Sequence, residues 1–368
     1  MGLEVAHFGK GTKAPVVVGT STINALATTP YQTWAFRRAE MTAFVGSPFR
    51  LPSGNMLAFG RVRQLDPRQF GVDRLVTLAV EALEPLAPIL GRAAPRARMA
   101  IVLCLPVRAD GRSDRPGDAR HIRRAIESRV AGPFVERGAQ VDVRCLHQGH
   151  ASFGYGALEI GTALEERRLD LALLLGVDSH YDPHVLEQLF VEQRVLDSDW
   201  REGFVPGEAA SALVIARPDF AREFGFDVLA TLDGVATNEE VANRENSVGL
   251  LGQGLSRPAV AVVERLKREQ RTLDWWICDT TGEPLRCQEL QLAWPRAAHL
   301  AMSPEGTLDL LPTHFGDLGA ATMPTAAVLG IEGLRRGDPV GKTVLITGSS
   351  DDGSRSVALF TAAAAVAG

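Results

Sequence analysis

Short apolar runs alternate with stretches of helical periodicity along the whole chain. Runs of strand length fall at Pro15–Gly19, Met99–Pro106, Val141–Leu146, Leu171–Val177 and Ala212–Arg217. A second set falls at Phe226–Asp233, Trp275–Asp279, Thr343–Gly348 and Ser356–Thr361. Between them, Asp73–Leu90 places Leu75, Leu78, Ala79, Leu83 and Leu86 at helical spacing, and His121–Arg129 is similar. In Pro258–Arg271 the residues Ala259, Val262, Val263 and Leu266 share a face, and Pro258 suits a first helical position. Strands separated by helices of about ten to fifteen residues predict a layered α/β fold. The strands divide near Arg217–Glu223 into two sets of similar content, which predicts two halves, 1–222 and 223–368, with no residue-level repeat legible between them. The low-complexity end Thr361–Gly368 is expected to fray.

The 368 residues suffice for a large buried core. The longest apolar runs, Ile101–Val107 and Leu171–Val177, fall far short of the roughly 20 residues that span a bilayer. The start, Met1 to His7, lacks a basic stretch followed by an apolar one, so the expectation is a cytoplasmic protein with no signal peptide and no membrane partner. With 39 basic against 44 acidic side chains the formal charge is −5, which leaves no basic footprint for nucleic acid. Among the cations only Lys10, Lys13, Lys267 and Lys342 are lysines. Cys104, Cys145, Cys278 and Cys287 are scattered, form no C-x-x-C pair, and read as reduced, mostly buried thiols.

Several local clusters invite a chemical reading that the spacing does not support. Asp178 to His184 gathers two histidines and two aspartates, but Pro183 opposes a helix that would align His180 with His184. His147 and His150 fall at a strand–helix turn, and no metal is expected at either place. Gly9–Lys13 lacks the spacing of a phosphate-binding loop, so no cofactor is expected. Trp275-Trp276 reads as an alternating strand with one ring inside. The Glu165–Arg168 run reads as a solvated helix end.

Three other stretches carry more. Gly203-Phe204-Val205-Pro206-Gly207-Glu208-Ala209-Ala210 reads as a glycine-kinked turn running into a buried strand. Gly176-Val177-Asp178-Ser179 closes a leucine-rich strand, and Gly316-Asp317-Leu318-Gly319-Ala320-Ala321 opens a small-residue helix. In this order they resemble the β-ketoacyl synthase branch of the thiolase superfamily, with its G-F-x-P-G-E-G-A-A, G-x-[DE]-S and G-H-x-x-G-A-A-G segments. Asp279-Thr280-Thr281-Gly282-Glu283-Pro284-Leu285 also tracks that family's H-G-T-G-T-P-L, and Val16–Trp34 its opening strand and helix. The resemblance spans nearly the whole chain. It implies a five-layer αβαβα thiolase-like fold of two pseudo-symmetric halves that dimerises edge to edge, here through Val141–Leu146.

The same resemblance implies a lost reaction. Condensing members use a cysteine at a helix N-terminus, two histidines and a supporting lysine. Placing Ser152 on the family's serine puts His150 at the cysteine, and a one-residue shift puts Gly149 there. Cys145 lies five residues too early. The first histidine falls on Asp279, and the second on Asp317 with one residue deleted or on Gly316 without the deletion; His314 sits off register. The lysine position is Pro312, with Lys342 in the next strand, and the family's glycine-rich gate loop is Ser349–Arg355. No catalytic residues are therefore expected, since a carboxylate at either histidine position would repel an oxyanion.

A residual acyltransferase or hydrolase would use Ser152 with His314 as base and Asp279 or Asp317 as orienter. The plainer reading makes Ser152 a helix cap. The resemblance therefore implies a non-catalytic adaptor with a protein partner, forming a homodimer, and the chain resembles the degenerate ketosynthase-like accessories of type VI secretion effectors in bacteria. The alternative is the inactive subunit of a ketosynthase heterodimer, as chain-length-factor proteins are, with an acyl carrier protein or ketosynthase as partner. Arg120, Arg123, Arg124 and Arg129 could then meet an acidic carrier, or could form a solvated helix face.

Overall fold

A computed structural model describes residues 2–9, 14–93, 97–107, 118–136, 138–242, 249–338 and 341–363. The loop at Lys10–Lys13 and the end of the chain from residue 364 lie outside the described residues. The strands, in chain order, are β1 (Glu4–His7), β2 (Val16–Asn24), β3 (Phe44–Arg50), β4 (Met56–Gly60), β5 (Arg98–Cys104), β6 (Gln140–Leu146) and β7 (Leu171–Ser179). They continue with β8 (Glu208–Ala216), β9 (Ala230–Glu239), β10 (Leu273–Cys278), β11 (Met302–Leu310), β12 (Thr343–Ser349) and β13 (Ser354–Ala362).

Strand order exposes the duplication. One side of the molecule runs β6-β5-β7-β8-β2 and the other β11-β10-β12-β13-β9, so each half has its strands in the order third, second, fourth, fifth, first. Directions repeat too: β5 is parallel to β6 and β7, and β10 to β11 and β12, while the remaining pairings within each half are antiparallel. The halves join where β2 meets β9, through Val16↔Thr231 and Val17↔Ala230. β1 adds to β9, and β3–β4 forms a separate hairpin.

Layering follows from strands that are apolar on both faces. Along β7, Leu171, Leu173, Leu175 and Val177 pack outward with Leu75, Leu78 and Ala79 of the helix Gly71–Leu83. Ala172 and Leu174 point the other way, into a central layer with Phe153, Ala157 and Ile160 of the helix Ser152–Glu165. That layer also takes Met323, Ala326 and Ala327 of the helix Thr322–Arg336, together with Val344 and Ile346 of β12. Leu345 faces the far side, where Ala259, Val262 and Leu266 of Gln253–Arg268 and Ala293 and Ala297 of Pro284–Ala301 cover it. Helix, sheet, helix, sheet, helix is the predicted five-layer plan.

Three expectations need correcting, and four strands went unforeseen. Trp275 and Trp276 are both buried, on opposite faces of β10: Trp275 joins the central layer, while Trp276 joins the outer one and its Nε1 donates to Thr347 Oγ1 at 3.1 Å. Pro258 does not begin its helix. Gly252, in the left-handed region at φ 60°, precedes a helix that starts at Gln253, and burial of Leu255, Ala259 and Val262 outweighs the one bond Pro258 cannot donate. β9 runs Ala230–Glu239, later than Phe226–Asp233, because it pairs with β13 over its whole length. Edge strands β1 and β11 and the hairpin β3–β4 gave no apolar signal, being half exposed.

Candidate functional site

The turn before β8 fixes one wall of the site. Glu208 is buried and pairs with Arg74 through two contacts of 2.6 Å, accepts from the Val62 amide at 2.8 Å, and accepts from Ser179 Oγ at 2.6 Å. Gly207 donates to the Asp317 carbonyl at 2.9 Å, and the Asp317 amide donates to Val205 at 2.8 Å. A Cβ on Gly207 would lie 2.6 Å from the Phe315 carbonyl oxygen, so only glycine lets the two segments approach. The three stretches singled out in the sequence are thus neighbours.

Two matching turns open the central helices. Gly149-His150-Ala151 leads into Ser152 and Gly319-Ala320-Ala321 into Thr322, each as one tight helical turn, with Gly149 at φ +49° and Gly319 at φ +51°. Each turn is closed by the opposite half. A Cβ on Gly348 would lie 2.5 Å from the His150 carbonyl oxygen, and one on Gly176 would lie 2.6 Å from that of Ala320. Gly348 is in register with Ser356 and Gly176 with Ser211, so the correspondence extends to neighbouring strands. Ser356 Oγ donates to the Ala151 carbonyl at 2.9 Å, and Ser211 Oγ lies 2.8 Å from Thr325 Oγ1 on the other central helix. This is the residue-level repeat that the sequence hides.

Between the turns His150, Asp317 and Asp279 converge with two arginines as ion pairs. His150 Nε2 lies 2.7 Å from Asp317 Oδ1, and that oxygen also accepts from the Gly319 amide at 2.8 Å. Arg286 Nη1 donates to Asp279 Oδ2 at 3.0 Å, and the same carboxylate accepts from the Ser349 amide at 2.7 Å. Arg286 Nη2 reaches Asp351 at 3.2 Å and stands 3.5 Å from His150 Nδ1. Arg194 binds Glu283 at 2.8 Å and Asp351 at 2.7 Å. His150, Asp279, Asp317, Arg194 and Arg286 are all buried.

Protonation follows from this pairing. Burial disfavours the charged imidazole of His150, but the Asp317 carboxylate outweighs it and raises the pKa above the ordinary value. Burial likewise works against the Asp317 charge, and His150 overcomes it, holding the carboxyl well below the usual range. Asp351 is depressed in the same way, against burial, by Arg194 and then Arg286. Asp178 moves upward, chiefly through burial, although the Ala320 amide donates to it at 2.8 Å.

A pocket of about 140 Å³ opens on this cluster, lined by His150, Asp317, Asp351, Arg194, Asp178 and the apolar Val107, Leu189 and Phe204 among others. No cysteine lines it. Cys104 is buried, with its thiol pushed far up by burial, and the buried Cys278 is pushed up to about 12, chiefly by burial.

Other candidates fall elsewhere. Ser152 is buried, lies outside the pocket lining, and its Oγ has no hydrogen-bond partner, so it is neither a positioned nucleophile nor the expected cap; Ala151 holds the cap position. His314 turns to the Met41 carbonyl at 3.1 Å, away from Ser152, so that triad is not assembled. Pro312 and Gly316 bracket a single helical turn, and Lys342 donates its amide to Asp274 at 2.7 Å. The stretch expected as a gate loop is largely strand: Ser349 ends β12, Ser354 and Arg355 begin β13, and the four-residue link between them places Ser350 Oγ to accept from the Ala151 amide at 2.9 Å. Asp182 caps the helix Pro183–Val191, and no group of three metal-binding side chains occurs among the described residues. Arg194 and Arg286 escaped the sequence reading; the one hint was an arginine seven residues after Asp279, behind the helix-starting Glu283-Pro284.

No family model and no curated protein matches the chain. Solved structures do. A chain of a type II polyketide synthase acyl carrier protein in complex with its ketosynthase bound to the hexaketide (AntDE:AntF) superposes with TM-score 0.77 at 16% identity, covering 96% of this chain and 100% of that one. The fold is that of the ketosynthases. The ishigamide ketosynthase/chain length factor gives TM-score 0.72 at 15% identity, over 96% of this chain and 100% of that one. The oxazolomycin ketosynthase domain of Streptomyces albus gives 0.72 at 16% identity, over 96% and 74%. Among the described residues no helix of this ketosynthase fold is long and apolar enough to cross a membrane.

Proposed function

We propose that this chain is a ketosynthase-fold protein that has exchanged condensation for binding a protein partner. The observation that carries the reading is the ion-pair cluster His150–Asp317, Arg286–Asp279 and Arg194–Asp351 standing between the two central helix starts, with no thiol lining the pocket. Condensation needs a thiolate and donors aimed at a developing oxyanion. Here the donors are committed to carboxylates. The pocket, about 140 Å³, is also below the roughly 300–1,000 Å³ typical of sites that enclose a drug-sized ligand.

In the preferred version the protein is a cytoplasmic adaptor that accompanies a type VI secretion effector in a bacterium, and it forms a homodimer through β6. Among the described residues that strand pairs with β5 alone, which leaves its other edge for a partner strand. The second version, the inactive subunit of a ketosynthase pair, is favoured by the full-length match to a ketosynthase/chain length factor. Ser152 acyl chemistry is not proposed, because its hydroxyl is buried away from the pocket.

The test incubates the purified protein with acyl-CoA and with acyl-loaded carrier protein, followed by intact-mass measurement and a condensation assay. No acyl adduct and no product are expected, and either would end the non-catalytic reading. Light scattering should give a dimer at micromolar concentration. Copurification from the native host then separates the versions: an effector supports the adaptor, and a ketosynthase or carrier replaces it with the heterodimer.

A further inference from the structure

At the far end of the Thr322–Arg336 helix, about 20 Å from the pocket at 1.5 Å per residue, lies a second depression of about 470 Å³. It runs along the junction of the halves, between Tyr31, Arg92 and Leu86 on one side and Phe226, Arg335 and Arg336 on the other. Nothing in the ketosynthase-like site uses it.

Two of its three arginines lie against aromatic faces. The Arg336 guanidinium lies 4.3 Å from the Tyr31 ring centre and 5.1 Å from that of Trp34, and Arg92 lies 5.0 Å from Phe226. Arg336 Nε donates to Glu332 at 2.7 Å and Arg335 Nη1 to the same carboxylate at 3.1 Å, while Arg92 donates to the Phe224 carbonyl. Each guanidinium keeps further N–H groups for a visitor. The side chains of Arg335 and Arg336 are 47% and 39% exposed, Tyr31 is 52% exposed and the flanking Val228 40%. Three arginines face two acids, Glu332 and Asp227, so the groove carries one surplus positive charge. Arg335 and Arg336 lie in the last turn of their helix and Arg92 in the last turn of another, Ala87–Ala93, so two helix C-termini converge here and each arginine in part answers its own.

Arginine and aromatic rings together, with no lysine, make up the composition enriched at the energetic centres of protein interfaces. We infer that this groove docks an acidic, partly apolar segment of a protein partner, its carboxylates meeting Arg92, Arg335 and Arg336 and its apolar side chains meeting Tyr31 and Phe226. The inference rests on the partner-binding reading above and names the surface that would serve it.

The probe is a fluorescein-labelled peptide of alternating glutamate and leucine, followed by fluorescence anisotropy on the full chain. Binding is expected to weaken at least tenfold in Arg92→Ala/Arg335→Ala, with thermal unfolding used to show that the variant stays folded. Rising salt should weaken it too, and the lysine–leucine counterpart should not bind. No binding, equal binding of the lysine peptide, or full affinity in the folded double variant overturns the proposal. Displacement of the peptide by millimolar inorganic pyrophosphate would also overturn it, by making the groove a phosphate site. A loss of acyl chemistry is not read out here, so failure of the docking groove and failure of the non-catalytic reading remain separate results.

Discussion

At the start of the Ser152 helix, the Ala151 amide is taken by a neutral hydroxyl, Ser350 Oγ, from the opposite half. At the start of the Thr322 helix, the Gly319 and Ala320 amides are taken by carboxylates, Asp317 and Asp178. Backbone shape is the same in both turns, but the charge that meets it is not. A carboxylate at a helix N-terminus is stabilised by the exposed amides and the dipole. The second turn therefore meets negative charge on its amides, Asp317 from its own half and Asp178 from the other, whereas the first depends on His150, which is held by Asp317 from across the interface and faced by Arg286. The two halves repeat one geometry under different electrostatics.

The largest test of that contrast is Arg286→Met. It strips Asp279 of its cation and leaves a buried carboxylate, so a loss of about 3–5 kcal/mol in urea unfolding is expected. Arg286→Met/Asp279→Asn should recover part of it, and a single-variant loss under about 1 kcal/mol would mean the cluster does not hold the first turn.

Next come the paired glycines. Either one changed to alanine meets the left-handed penalty of about 1–2 kcal/mol. At Gly149 little else follows, since the nearest atom is 3.4 Å from the new methyl. At Gly319 the methyl would collide with the Asp178 carboxylate and displace it from Ala320, which brings the total to roughly 3 kcal/mol or more. Equal losses would erase the asymmetry.

Acidity gives a finer reading. His150 is raised above 6.5, so its pairing contributes fully below that value and is lost as pH climbs through the folded pKa. Asp317 is lowered below 3.8, so its share is present above that value and is lost as pH falls through the folded pKa. Stability should peak between the two, and His150→Gln should flatten the alkaline limb. A wild-type curve with no alkaline limb would remove the charged pair. Smallest of all, Ser152→Ala and Thr322→Val delete hydroxyls without partners, so each should change stability by less than about 1 kcal/mol in either direction. A loss above about 2 kcal/mol in either would reveal a partner for that oxygen.

Strands buried on both faces were legible: Leu171–Val177 is an unbroken apolar run and Thr343–Gly348 carries Val344, Leu345 and Ile346 between threonines, because sheet and helix cover both sides. Edge strands such as β11 were not, since Pro304 and Glu305 sit on an open margin that demands no pattern. Asp279, Asp317 and His150 could be singled out from their places in short local segments. Their partners could not be, because Arg194 reaches Glu283 across 89 positions and nothing local marks either residue. The repeat stayed hidden for a related reason: Gly-His-Ala-Ser and Gly-Ala-Ala-Thr share a glycine, an alanine and a hydroxyl, too little to notice until the backbone superimposes them.

The reciprocal fit of Gly348 on the His150 carbonyl and Gly176 on the Ala320 carbonyl makes each half the closing piece of the other. A chain severed between β8 and β9 would yield two fragments, each with a helix start that has lost the glycine strand packed against it. Such fragments should stay disordered apart and regain order on mixing. The interlock constrains glycines and serines in the strands, whatever side chains line the pocket, so a scaffold of this kind can persist through a complete change of occupation.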